Sequence, residues 1–241
     1  MAEALYVEAR IRAGMDELWA ATQVPGEHQR WDLRFTHIDY LPQADGEPQR
    51  FRYGVRVAGV MLCGTGTCAG ESRRADGMRT SALRFASGHP LSLLAAGSGY
   101  WRYVPTGDGV RFLTGYDYRP RWGWFGRFAD PFVFRPLMGW ATAWSFDRLR
   151  LWLERGIPPE RSRWHAVLEV VLRGAFTLAA AVMAPHAVVV LCVAAVVAIG
   201  LPPMPTTPAA RRCLRRRPDT DTDRISTAPA ILDRLEAPTC S

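Results

Sequence analysis

The chain opens on a period of two. Leu5, Val7, Ala9 and Ile11 fall on one face and Tyr6, Glu8, Arg10 and Arg12 on the other, which predicts a half-buried strand. Gly14 breaks it, and Met15 to Thr22 reads as a short helix anchored by Leu18 and Trp19. Pro25-Gly26 interrupts, and a second short helix is expected to carry Glu27 to Trp31. Strands follow: Phe35 to Leu41, then Phe51, Tyr53, Val55 and Val57 alternating with Arg52, Gly54 and Arg56, then the Gly-rich Met61 to Glu71. Asp76-Gly77 and Thr106 to Gly109 are hairpin turn signals. Around them lie Thr80 to Ala86, a strand centred on Tyr100 to Tyr103, and the alternating Phe112, Thr114, Tyr116 and Tyr118.

Past Pro120 the period becomes helical. Leu137, Trp140, Ala141, Trp144, Arg148 and Trp152 recur at helical spacing. Pro131 and Pro136 place the continuous helix after Arg135, and Gly156 with Pro158-Pro159 stops it. One strand, two short helices, about six further strands and one long helix predict an α+β domain over residues 1–160, an antiparallel sheet with its helices on one side.

A different texture follows. From Gly174 to Ala210 no residue is charged, and Phe176 to Met183 and Val188 to Leu201 are mostly Ala, Val and Leu. That is enough apolar chain for a transmembrane helix. One reading is a single span kinked at Pro185-His186. The other is a helical hairpin over 164–203, from about Trp164 to Ala184 and Ala187 to Pro203. Charge favours the hairpin. It puts the folded domain and the cluster Arg211, Arg212, Arg215, Arg216 and Arg217 on one side, expected to be the cytoplasm. Its first helix must then accommodate Glu169 and Arg173, an i,i+4 pair. Residues 204–241 are expected to be an Arg-rich juxtamembrane stretch and a disordered tail.

Composition narrows the function. Of 241 residues, 48% are hydrophobic, and the formal charge is +7 with no Lys. In the first 165 residues Arg alternates with Asp and Glu, and the single dense Arg cluster adjoins the apolar segment, so no nucleic-acid partner is expected. The five Cys are irregularly spaced without a CxxC pair and the five His are dispersed, so no metal site is expected. Without an apolar leader in Met1 to Arg12, the thiols are read as reduced.

The residues of Ala4 to Pro159 carry a resemblance. The opening strand followed by Asp16-Glu17-Leu18-Trp19, then His28-Gln29-Arg30-Trp31, is similar to the START/polyketide-cyclase (SRPBCC) superfamily. So are Gly97 to Tyr103 and the run from Phe134-Arg135-Pro136-Leu137 to Trp144-Ser145-Phe146-Asp147-Arg148-Leu149. The resemblance covers about two-thirds of the chain. It implies a helix-grip fold: a curved antiparallel sheet of about seven strands around a long C-terminal helix, here followed by transmembrane helices. It also implies a cavity between sheet and helix, and it leaves activity open, because carriers, cyclases and pure binding proteins share the fold.

The expected cavity walls are Phe51, Tyr53, Trp101, Tyr103, Tyr116, Trp140 and Trp144, with Trp31 at the mouth. Polar candidates are His28, His37, Arg52, Asp117 and Arg135, and His37 shares a strand face with Asp39. No nucleophile elbow, phosphate loop or HExxH appears, and Gly64-Thr65-Gly66 lies in a strand, not at a helix start. No catalytic residue and no cofactor are assigned. The leading expectation is a membrane-tethered binding protein for a hydrophobic small molecule or lipid. The alternatives are a cyclase or aromatase acting in the same cavity, and an interaction module whose cavity is filled by side chains.

Overall fold

The structure is a computed structural model that describes residues 4–43, 45–57, 59–183, 188–217, 227–235 and 238. Strand β1 (Leu5–Ile11) leads into helices α1 (Met15–Gln23) and α2 (Pro25–Trp31). Strands β2 (His37–Tyr40), β3 (Gln49–Val57), β4 (Val60–Arg73), β5 (Arg79–Ala86), β6 (Leu94–Thr106) and β7 (Gly109–Pro120) follow. They form one antiparallel sheet in the order β1-β7-β6-β5-β4-β3-β2. The β2–β7 meander needs only hairpins, and β1 closes it by pairing with β7, Val7 opposite Thr114.

After β7 come α3 (Gly123–Ala129), a π-helical turn (Asp130–Phe134) and α4 (Arg135–Arg155). The sequence pattern placed one continuous helix after Arg135, and α4 starts there. Pro131 and Pro136 sit in the first turns of their segments, where a missing N–H costs little. Gly156 ends α4 in a left-handed conformation (φ 62°), and its N–H closes onto Leu151 and Trp152 carbonyls.

The core lies between α4 and the concave face. Val7, Ile11, Trp101 and Phe112 from the sheet meet Phe146 and Leu149 of α4, with Leu18 and Trp31 sealing the end. The Phe112 and Phe146 rings stack at 4.4 Å. The opposite face of β1 was expected to be solvated, yet Tyr6 and Glu8 are buried. Two later segments cover it. Leu214 pairs with the Glu8 backbone, each N–H donating to the other's carbonyl at 2.9 Å. A helical turn α7 (Ile231–Arg234), within the stretch expected to be a structureless tail, packs Leu232 against Tyr6, Ala82, Tyr100 and Leu113. Glu8 is neutralised there by Arg111 at 2.6 Å.

Helices α5 (Pro159–Met183) and α6 (Val188–Gly200) follow α4. α5 is long and apolar enough to cross a membrane, with mean hydropathy 1.8 and little of it buried. At 1.5 Å per residue its 25 residues run about 37 Å, more than the ~30 Å hydrocarbon core. α6 has 13 residues, about 20 Å, short of that thickness on its own. The expected turn at Pro185-His186 lies outside the described residues.

The chain after α6 runs back beside the start of α5. The Arg173 guanidinium donates to the carbonyls of Ala198, Leu201 (2.9 Å) and Pro202 (3.0 Å) and pairs with Glu169. Glu169 accepts the Met204 N–H at 3.1 Å. Arg173 thus satisfies carbonyls at the end of α6 while Glu169 takes an N–H of the returning chain, and the outward face of α5 carries Trp164, Val167, Leu168, Val171 and Leu172. Beyond it Asp147 of α4, fully buried, accepts the Ala209 N–H and Arg212, both at 2.8 Å, and Arg150 at 2.7 Å.

Candidate ligand cavity

Between the open end of the sheet and the N-terminal half of α4 lies a mostly apolar cavity of about 520 Å³, within the size range of small-molecule sites. Its far wall is built by a register effect. Phe51 and Tyr53 of β3 oppose Gly66 and Gly64 of β4. A Cβ at Gly64 would stand 2.3 Å from the Tyr53 ring, and one at Gly66 would stand 2.2 Å from Phe51. The two glycines therefore let both aromatic rings lie across the sheet and hollow the concave face. This is the role of the Gly64-Thr65-Gly66 run, which sequence reasoning could only exclude as a phosphate loop.

Of the aromatic residues expected to line the cavity, Phe51, Tyr53, Trp101, Tyr116 and Trp140 do so. Trp140 is 43% exposed at the opening, beside Leu137. Three of the expected residues lie elsewhere. Trp31, expected at the mouth, is fully buried in the core, where its indole N–H donates to the Ala21 carbonyl at 2.8 Å. Tyr103 is also core, its hydroxyl 2.6 Å from Thr22 Oγ1. Trp144 stacks behind Trp140 at 6.1 Å with the Arg148 guanidinium 5.0 Å over its ring. Helical spacing put Trp140 and Trp144 on one stripe, but only Trp140 lines the cavity.

Among the polar candidates, His28 alone lines the cavity. His37 and Asp39 do pair, at 2.6 Å, but on an exposed strand face. Arg52 is exposed and away from the cavity. Asp117 and Arg135 form an ion pair at 2.7 Å, and Arg135 also holds Asp130 at 2.7 Å, so they fasten the π turn to β7.

His28 belongs to a polar centre whose other two members, Asp32 and Arg34, the sequence did not single out. Asp32, immediately after α2, has a fully buried carboxylate that takes Arg34 through both oxygens, at 2.9 and 2.7 Å. The same carboxylate meets His28 Nε2 at 3.1 Å. Burial pushes the Asp32 carboxyl up, but the Arg34 charge and the His28 and Arg34 hydrogen bonds outweigh it and hold it below the usual carboxylate range. Burial drives His28 the other way, below the ordinary imidazole value, against the pull of Asp32. His28 is therefore neutral at pH 7, with its Nε2 hydrogen on Asp32 and Nδ1 left as an acceptor. Its ring sits among Trp31, Phe35 and Trp101 at 4.7 to 5.1 Å.

Arg34 borders the cavity too, 5.5 Å from the Tyr116 ring, and the Tyr116 hydroxyl meets Thr142 Oγ1 at 2.9 Å. The cluster is charged but internally compensated. It suits a hydroxyl or carbonyl on an otherwise apolar ligand better than a free anion. Its one sequence signal was His28 and Asp32 at i,i+4 beside Arg34, a pattern that equally describes a solvated helix end. Among the described residues no group of His, Cys, Asp and Glu is arranged to hold a metal ion.

A seven-stranded antiparallel sheet closed on a long C-terminal helix, with a cavity between them, has the helix-grip architecture that the sequence resemblance implied. Sequence comparison adds a membrane relative. The chain is 45% identical over 176 residues to the uncharacterized membrane protein YndG of Bacillus subtilis (strain 168), across 72% of this chain and 66% of that protein. The chain thus spans slightly less than two thirds of that relative's length. No protein-family model matches. Similar solved structures include a STAR-related lipid transfer protein from Xanthomonas axonopodis (19% identity, TM-score 0.46, 61% of this chain and 84% of that one). The Zhui aromatase/cyclase from Streptomyces sp. R1128 is another (16% identity, TM-score 0.42, 61% and 95%).

Proposed function

We propose that this protein is a membrane-tethered binding protein that takes a hydrophobic small molecule or lipid into the cavity between its sheet and α4. One observation carries the reading: an open volume of about 520 Å³, walled by Phe51, Tyr53, Trp101 and Trp140, in a chain that also carries a helix able to cross a bilayer. An interaction module with a side-chain-filled interior would lack that volume. A hairpin of the two apolar helices is part of this reading, supported by Arg173 and Glu169 on α5 binding the chain that leaves α6 and by Asp147 binding residues 209 and 212. Arg161 and Arg163 at one end of α5 and Arg211 and Arg212 beyond α6 then share one side, which the positive-inside rule makes cytoplasmic.

The test is native mass spectrometry and lipid extraction of the full chain from detergent, beside a Leu83→Trp variant whose new ring occupies the cavity. The reading expects a bound apolar molecule in the parent and its loss in the variant. Equal recovery from both would place the molecule on the hairpin and refute the cavity reading.

The second reading, an enzyme of the cyclase type, is favoured by one feature. His28 is neutral, oriented by Asp32 and open to the cavity, as a general base must be. It expects the molecule co-purified with His28→Gln to be converted by the parent to a cyclised isomer, or to its dehydration product with water released, seen as a changed retention time or mass, and to stay unchanged with His28→Gln. Identical products from both proteins would reject it.

A further inference from the structure

The segment between β7 and α4 is amphipathic in the wrong sense for a soluble domain. Its inward side holds Gly126, Phe134 and the ion-paired Asp130, all buried. Its outward side holds Trp124 (74% exposed), Phe125 (51%), Phe128 (66%) and Phe132 (72%). Taking ~150–250 Å² for each ring, these four with Val133 expose about 600 Å² of apolar surface, at the top of what monomers show.

The segment is held firmly. Trp122 adopts a left-handed backbone (φ 65°), and its indole N–H donates to the Pro90 carbonyl at 2.8 Å. The Tyr118 hydroxyl donates to Asp130 at 2.7 Å, and Asp130 pairs with Arg135. The rings therefore face out as part of a fixed platform. Of the acidic groups near it, Asp117 and Asp130 are both paired with Arg135. Arg119 and Arg127 are exposed, and Asp130 is buried and already neutralised.

The platform also adjoins the cavity opening. The Trp122–Pro90 bond ties it to the loop whose Leu91 lines the cavity, and Leu137 and Trp140 continue from it along the first turns of α4. α4 carries this platform at one end and the apolar hairpin at the other, about 31 Å apart along a 21-residue helix.

We propose that the aromatic platform from Trp122 to Val133 is a second membrane-contact surface, which inserts into the headgroup region of the leaflet beside the anchor and opens the cavity directly onto lipid. The occupant is the bilayer. Aromatic rings at an interface with Arg alongside are the side chains that headgroup regions favour, and anionic lipid complements the two exposed Arg. An anchor plus a weak apolar contact is the two-signal arrangement that holds a domain flat on a membrane. A ligand then passes between leaflet and cavity without crossing water. The inference rests on the membrane-tethered reading.

The test uses the full chain in phosphatidylcholine/phosphatidylglycerol vesicles containing a phosphatidylcholine with a diazirine in its acyl chain. After illumination, adducts are mapped by mass spectrometry. Adducts are expected both in the hairpin and in residues 122–133. Phe128→Asp/Phe132→Asp is expected to lose the second set, keep the first, and slow transfer of a fluorescent phospholipid from the vesicles by about tenfold. Adducts confined to the hairpin overturn the platform and leave the tether standing. Adducts on the platform without any in the hairpin overturn the tether and leave the platform. Protection of residues 122–133 that grows with protein density, without lipid adducts there, assigns the surface to a second copy and overturns the proposal.

Discussion

Trp31 and Trp140 both looked like mouth or wall residues in the sequence, and replacing each by Ala separates core from cavity. Trp140 is 43% exposed, so of the ~250 Å² of a large aromatic side chain about 110 Å² faces the opening. A ligand covering half of that gains ~1.4 kcal/mol at 25 cal/mol/Å², so Trp140→Ala should weaken binding about tenfold. Full burial of a Trp is worth ~3–5 kcal/mol against Ala; with about half its surface packed, Trp140→Ala should cost about 2 kcal/mol of stability. Trp31 is fully buried and loses all of it. It also strips the Ala21 carbonyl of its indole donor, a further ~1–3 kcal/mol. Against a total of ~5–15 kcal/mol, Trp31→Ala should unfold much of the population. The assays are thermal melts of the full chain in nanodiscs and titration with a fluorescent fatty acid, empty nanodiscs subtracted. A Trp140→Ala protein that melts as early as Trp31→Ala, or that binds the probe as the parent does, would refute the cavity placement of Trp140.

Other outcomes follow from the buried polar groups. His28 is depressed below its ordinary value, so between that lower value and about 6.5 the unfolded chain binds a proton that the folded one refuses. Stability should therefore fall as pH drops below about 6.5, and His28→Phe should flatten that part of a melting-temperature profile; an unchanged slope would contradict a neutral His28. Asp32 is likewise held low, so its contribution is present above about 3.9 and lost as pH falls further, and Asp32→Asn should remove this acid-side loss while lowering stability at neutral pH. Removing the buried Asp147 carboxylate with Asp147→Ala leaves Arg150 and Arg212 without their shared partner, at a cost of about 3–5 kcal/mol. Trypsin should then cut at Arg211 and Arg212 faster than in the parent; equal cleavage rates would mean that Asp147 does not hold the returning chain. Arg173→Leu should expose the end of α6, and a slower proton–deuterium exchange of Leu201 and Met204 amides than in the parent would count against the capping role.

Periodicity by itself determined the strands, the long helix and the apolar segment, because each depends on local backbone geometry and on which face meets water. The alternation of Phe51, Tyr53 and Val55 and the stop at Gly156 needed no tertiary information. What the sequence left undecided was which apolar residues touch an open volume. Trp31, Trp140 and Trp144 are one residue type in similar patterns, and only the packing of α4 across the sheet leaves one at the opening, one behind it and one in the core. The glycines opposite Phe51 and Tyr53 acquire their meaning from cross-strand register, fifteen or fewer residues away in sequence but set by pairing. His28 was a candidate on its residue type, but Asp32 and Arg34 read as ordinary helix-end charges until burial isolates them from water, and burial is a property of everything packed around them. Glu169 and Arg173 likewise looked like a cost to membrane insertion; the chain returning from α6 gives Arg173 carbonyls to donate to and Glu169 the Met204 N–H to accept.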